Sequence, residues 1–229
     1  LQAADALVAR GIKALVVACN TASSVALPAL VRRHPRLPVV GVVEPGAEAA
    51  CAATVRAHLA VIATEGTIRG GAYQQAIHAL RPEVRVEGIA CPMFVALAEE
   101  GWNEGGIAEA VAQRYLDPVF GAAAGEPAGR PDVLVLGCTH FPLLLGPLRA
   151  AVGGTVHIVD SAATTAIAVE RRLRDDALLD PRATPAGEPQ APWGRTRFLA
   201  TDGVARFARV GSAFLGAALD PQQVELVDL

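Results

Sequence analysis

The chain has 229 residues, of which 52% are hydrophobic, 19% charged and 4% aromatic, with a formal net charge of −3. That length and apolar content suit one large or two small α/β domains with a substantial core, and a weakly acidic balance without Lys or Arg runs argues against nucleic-acid or membrane-surface binding. No apolar run is long enough to span a bilayer, and four cysteines without disulfide-like or metal-like spacing point to a reducing compartment, so a cytoplasmic protein is expected.

Residues 1–10 place Leu1, Ala4, Leu7 and Val8 on one helical face, and Gly11 follows as a helix C-cap. Ala14 to Cys19 reads as a buried strand. The chain therefore opens in mid-architecture, on a helix feeding a strand without an initiator Met, and a preceding N-terminal part is expected. Asn20, Thr21, Ser23 and Ser24 are cap-type residues at the start of a helix running towards His34, with Pro28 as a kink or break and Pro35 and Pro38 beyond its end. Val39 to Val43 is the next strand, ending in Glu44-Pro45-Gly46, and an Ala-rich helix carrying Cys51 continues to about Val55. Leu59 to Ala63 is a strand, Thr64-Glu65-Gly66-Thr67 a hydroxyl-rich turn, and one helix then reaches about Leu80. Arg85 to Ala90 is a strand. Cys91-Pro92 opens a short helix with Phe94, Leu97, Glu99 and Glu100, and 107–120 is helical by period. Gly121 to Arg130 reads as a surface loop. Pro131 to Leu144 combines a strand buried on both faces with Gly137, Cys138, Thr139 and His140 at its carboxyl end. Val156 to Val159 is a strand before Asp160, Ser161 caps a helix ending in charge, and Pro181 to Gly194, with four prolines, reads as a linker or variable loop. Arg197 to Ala200, a helix from Val204 to Leu215 and a strand from Val224 to Val227 close the chain.

One pattern occurs twice. A buried strand, a cysteine, small polar residues, a helix-like stretch and a second strand ending in an acid run from Ala14 to Glu44, and again from Val133 to Asp160. Two such units suggest two similar α/β domains with mainly parallel sheets facing each other across a substrate cleft, since ligands bind at the carboxyl ends of parallel strands. The expected division is 1–43 plus 161–229 for the first domain and 44–160 for the second.

A single cysteine is usually inert packing, and Cys51 and Cys91 are read that way. Cys19 and Cys138 both leave a buried strand where the next helix begins, and a helix N-terminus favours the thiolate. Two such thiols across one cleft suit a proton leaving one face of a carbon and arriving at the other. His140 is placed to polarise Cys138 or bind a substrate carboxylate, and Glu44, Glu99 and Asp160 are candidates to orient a thiol or a substrate ammonium. Thr64 and Thr67 suit an anion-binding turn, and a simple helix cap explains them equally well. No nucleotide loop, G-x-S-x-G or paired-cysteine metal motif is present, so no cofactor and no metal are expected.

At these residues the chain resembles a known family. VVACNTASS, VVGVVEPG, IATEGTI, CPMFVALAEEG, VLGCTHFPLL and VDSAATTA, in this order, resemble glutamate racemases of the aspartate/glutamate racemase superfamily, from about Lys13 to the last strand. GCTHFPLL is the most specific part; CNTA is shared with aspartate and related racemases. The resemblance implies a cofactor-independent isomerase that interconverts L- and D-glutamate and supplies D-glutamate for peptidoglycan. It further implies two similar α/β domains with the substrate between them and a return to the first domain at the end of the chain. It implies Cys19 and Cys138 as the acid/base thiols and Asn20, Thr21, Thr139 and His140 as substrate contacts, with Glu99 matching the family's acid beside Glu100. The family's opening Asp-Ser-Gly and later Pro-Tyr-Gly segments have no match here, in line with the expected N-terminal part.

The implied partner is glutamate, with neither nucleic acid nor membrane, and a homodimer is one assembly the reading allows. An aspartate racemase or related superfamily enzyme is the nearest rival reading. A non-catalytic amino-acid-binding protein and a cysteine hydrolase are the others.

Overall fold

The computed structural model describes residues 1–180 and 196–229. The Pro-rich stretch expected as a linker, 181–194, lies outside the described residues. Helix α1 (Gln2–Ala9) leads into strand β1 (Leu15–Val17), helix α2 (Asn20–Arg33) and strand β2 (Val39–Gly41), and the two strands pair in parallel, Leu15 opposite Val39. Helix α3 (Val43–Ala53) and strand β3 (His58–Ala63) follow, then helices α4 (Glu65–Gly70) and α5 (Ala72–Leu80) and strand β4 (Arg85–Ala90). Helices α6 (Pro92–Glu100) and α7 (Gly105–Phe120) precede strand β5 (Val133–Gly137), helix α8 (Leu145–Val152), strand β6 (His157–Asp160) and helix α9 (Ser161–Asp175). Strand β7 (Phe198–Ala200), helix α10 (Val204–Leu215) and strand β8 (Val224–Leu226) complete the described chain.

The main sheet has the order β4-β3-β5-β6, and all its neighbours are parallel. Its inner strands, β3 and β5, are buried along their whole length, because helices cover both faces. Side chains alternate across a strand, so Ala60, Ile62, Leu134 and Leu136 pack with Phe94, Leu116, Phe141 and Leu148 on one face. Leu59, Val61, Val133 and Val135 pack with Ala47, Ala50, Tyr73 and Ile77 on the other. Each fully buried Leu or Phe stabilises such a core by about 1.5–3 kcal/mol. Short β1–β2 and β7–β8 sheets, also parallel, stand apart from it. A smaller cluster of Ala4, Leu15 and Leu30 joins α1 and α2 to β1.

Most elements fall where the sequence puts them, and the differences have local causes. The helix expected after Glu44-Pro45-Gly46 starts earlier, at Val43, so these three residues form its first turn. First-turn N–H groups have no partner within the helix, so Pro45 costs nothing there. The single helix expected up to Leu80 is split into α4 and α5 at Gly71, whose φ of +65° is left-handed. Pro28 neither ends nor splits α2, which runs through it. Cys19 itself, rather than the polar residues after it, is the N-cap of α2, and Asp160 rather than Ser161 caps α9, accepting from Ala162 N–H at 2.8 Å. The β1 strand is shorter than expected. The loop at Gly121 to Arg130 contains single 3-10 turns at Ala122–Ala124 and Pro127–Gly129.

Candidate active site

Both cysteine-bearing loops emerge from the carboxyl ends of parallel strands, β1 and β5, as the topology requires of a ligand site. Beyond that point the two differ. Cys19 caps a helix of 14 residues. Its sulfur accepts from Ala22 N–H at 3.5 Å, and the residue is exposed. Cys138 leads instead into a turn and the 3-10 segment Phe141–Leu144, so it does not cap a regular α-helix as Cys19 does. Phe141, fully buried edge-on against Phe94 at 5.3 Å, pins that turn to the core. Cys138 is only 6% exposed. Burial pushes its thiol up, the backbone N–H of His140 pulls it down, and a negative charge at Cys19 pushes it up again.

A chain of polar contacts runs outward from Cys138. Its Sγ lies 3.7 Å from His140 Nδ1, and His140 Nε2 lies 3.3 Å from Glu99 Oε1. The other carboxylate oxygen, Oε2, accepts from Arg206 on α10, and Arg209 of the same helix donates to the Glu99 carbonyl at 3.0 Å. Arg206 is the main reason the Glu99 carboxyl stays below its ordinary range; burial opposes this and His140 adds to it. Phe214, also on α10, meets the His140 ring edge-on at 5.2 Å. Glu99 is half-buried and faces His140, whereas Glu100 is exposed.

A second polar cluster sits beside Cys19. Thr21 Oγ1 is 2.9 Å from both Thr64 Oγ1 and Thr67 Oγ1, which are 3.1 Å apart. Thr64 caps α4, its hydroxyl accepting from Thr67 N–H at 3.3 Å. The N-termini of α2 and α4 thus converge on three hydroxyls, a place where negative charge is favoured. Asn20 is 2% exposed; its Oδ1 accepts from Tyr73 OH at 2.7 Å, and its buried Nδ2 has no partner. Thr139 is half-buried in the turn after Cys138.

Of the residues proposed from sequence, the structure gathers Cys138, His140 and Glu99 into one chain of contacts, and Thr21, Thr64 and Thr67 into another. Glu44 and Asp160 do not join them. Glu44 is exposed in the first turn of α3 and Asp160 caps α9, so neither orients a thiol. Cys51 and Cys91 are buried, and desolvation pushes Cys91 up to about 12. Sequence reading missed Tyr73, Arg206, Arg209 and Phe214. Tyr73 looks like one more core aromatic, and the arginines lie more than a hundred residues from Glu99, where no local spacing signals them. Among the described residues no group of three or more His, Cys, Asp or Glu side chains gathers as a metal site.

Fold and site together define an α/β protein with two cysteines at the carboxyl ends of parallel strands, one beside a threonine cluster and the other on a histidine–glutamate chain. The model of the Asp/Glu/Hydantoin racemase family matches residues 1–169, and the chain belongs to that family, on its glutamate racemase branch. A glutamate racemase of Geobacter metallireducens is 46% identical over 227 residues, covering 99% of this chain and 78% of the relative. Among solved structures, glutamate racemase isoform RacE1 from Bacillus anthracis superposes with a TM-score of 0.81 at 32% identity, covering 95% of this chain and 74% of that one. The Francisella tularensis glutamate racemase, solved in complex with D-glutamate, superposes with a TM-score of 0.81 at 27% identity, covering 97% and 76% respectively.

Proposed function

We propose that this chain interconverts L- and D-glutamate by proton transfer at Cα between Cys19 and Cys138, supplying D-glutamate for peptidoglycan. The observation that carries the reading is the pair of cysteines at the carboxyl ends of parallel strands, Cys19 next to the Thr21–Thr64–Thr67 hydroxyls and Cys138 on the His140–Glu99 chain. Relatives at 38–46% identity that are glutamate racemases supply the substrate.

One thiolate removes the α-proton, breaking the Cα–H bond, and leaves its electron pair on Cα and the carboxylate. The opposite thiol delivers its own proton to the other face, so the two sulfurs exchange protonation states in each turnover. The α-proton of an amino acid is a weak acid, and most of the barrier lies in the charge that develops on the carboxylate. The unpartnered Asn20 Nδ2, the three threonine hydroxyls and Thr139 are the donors this reading assigns to the substrate. His140 hydrogen-bonds Cys138 and is held by Glu99, so it lowers the cost of moving a proton on and off that sulfur.

The same reading divides the chain into 1–43 with 161–229, and 44–160. Supporting this division, the four-stranded sheet lies within 58–160, and an Arg10–Glu225 ion pair of 3.0 Å ties the first helix to the last strand. Among the described residues no helix is long and apolar enough to cross a membrane. We assign the enzyme to the cytoplasm, where its free cysteines stay reduced. A homodimer is the assembly to look for by sedimentation.

The test is proton NMR of L- and D-glutamate in deuterated water, with aspartate in parallel. Loss of the glutamate α-proton signal with inversion supports the reading. Exchange of aspartate alone replaces the substrate, and glutamate binding without exchange replaces racemisation by binding.

A further inference from the structure

Tyr73, on α5, has no place in the proton transfer, yet it reaches both thiol-bearing loops. Its side chain is 1% exposed. Its hydroxyl donates to Asn20 Oδ1 at 2.7 Å, one residue from Cys19. Its ring lies against Gly137, one residue from Cys138, where a Cβ would stand 3.1 Å from Tyr73 Cε2. Gly46 opens the other side of the same berth, since a Cβ there would stand 3.1 Å from the phenolic oxygen. Two glycines therefore leave room for one aromatic ring to thread between the loops.

The hydrogen-bond inventory fixes which end of the Asn20 amide faces which way. A carboxamide offers one acceptor and two donors, and a phenol donates or accepts. Were the phenol to accept from Nδ2, its own proton would be left buried without an acceptor, a cost of about 1–3 kcal/mol. Donation to Oδ1 satisfies both groups. Burial, with a further push from charge at Cys138, holds the phenol protonated and able to donate. The amide is then turned so that Nδ2, buried and without a partner, is left for another acceptor.

We infer that Tyr73 is a positioning residue for Asn20: seated against Gly137, it holds the amide by its oxygen so that the Nδ2 donor is presented to the substrate carboxylate. This rests on the racemase reading for the identity of that carboxylate; the orientation of Asn20 by Tyr73 does not depend on it.

The test is Tyr73→Phe, which keeps the ring in its berth and removes only the hydroxyl. The expected result is a fall of about tenfold in kcat/KM for both glutamate enantiomers, the scale of one oriented hydrogen bond. In an Asn20→Ala background the same substitution should cost less than twofold, because the group through which Tyr73 acts is gone. An equal fall in both backgrounds, or none in the wild type, overturns the inference. A second readout needs no turnover: the 15N order parameter of the Asn20 side-chain amide should drop in Tyr73→Phe. An unchanged order parameter also overturns it. If the wild-type protein leaves the glutamate α-proton untouched, the functional reading fails, while the amide measurement still decides the role of Tyr73.

Discussion

Gly137→Ala measures how tightly the loop before Cys138 is held. A Cβ at this position would stand 2.9 Å from the Ile62 carbonyl oxygen, 3.1 Å from Ala63 Cβ and 3.1 Å from Tyr73 Cε2. Two of these neighbours belong to the backbone or Cβ of β3, which is paired to β5 with Ala63 opposite Gly137 and is buried throughout. They cannot swing away as the end of a flexible side chain would. Overpacking a tight core costs about 1–3 kcal/mol, and rigid neighbours put this case near 3. The lower entropy of the unfolded alanine chain returns about 0.4–1 kcal/mol. A net loss of about 2 kcal/mol remains, or about 4–8 °C in Tm for a chain of this size. Cys138 is the next residue, so a shift of a few tenths of an ångström there should lower kcat about tenfold, given that a misplacement of about 1 Å costs about a hundredfold. Thermal unfolding by circular dichroism and α-proton exchange by NMR read the two effects. Gly146→Ala is the control: it lies in α8 with nothing within 4 Å of its would-be Cβ, and it should be neutral or stabilising. A Gly137→Ala protein within 1 °C of the wild-type Tm and within about twofold of its kcat would refute the packing argument.

Cys19→Ser and Cys138→Ser should each lower racemisation by at least about a hundredfold with the fold intact, the usual scale for losing a general acid or base; near-normal turnover in either variant would remove the two-thiol mechanism. Glu99→Gln should loosen His140 and lower kcat while leaving KM for glutamate nearly unchanged, since Glu99 contacts His140, which in turn contacts Cys138. It should also change the acid end of the stability curve. The folded Glu99 carboxyl lies below the ordinary carboxylate range, chiefly through Arg206, so its stabilisation is present above that range and is lost as pH falls through the folded pKa. Unfolding followed from pH 6 downwards should therefore show a shallower acid loss in the variant, and an unchanged slope would show that the pair is not formed. Iodoacetamide at neutral pH should label the exposed Cys19 first, then Cys138, and leave Cys91 last, as peptide mass spectrometry can follow. Early labelling of Cys91 would contradict its burial.

The sequence determined the α/β class, the parallel strands and the repeated strand–cysteine unit, because all three rest on local signals. Buried parallel strands read as continuous apolar runs, as in Val133 to Leu136, and the residues at their carboxyl ends stand next to them in the chain. Cys138 and His140 were likewise visible as neighbours, two positions apart. Helix ends were less legible, since a cap is decided by which side chain reaches a free N–H: Cys19 and Asp160 do so here, not the more typical residues after them. Only the tertiary structure decided the wider site. It brought Thr21 against Thr64 and Thr67 across more than forty residues, and Arg206 against Glu99 across more than a hundred. It also left Glu44 and Asp160 without a hydrogen bond to either thiol and placed Tyr73 between the two loops. Such contacts depend on how separate elements pack. Hydrophobic periodicity says that a residue such as Tyr73 is buried, and only the packed neighbours say which polar group its hydroxyl meets.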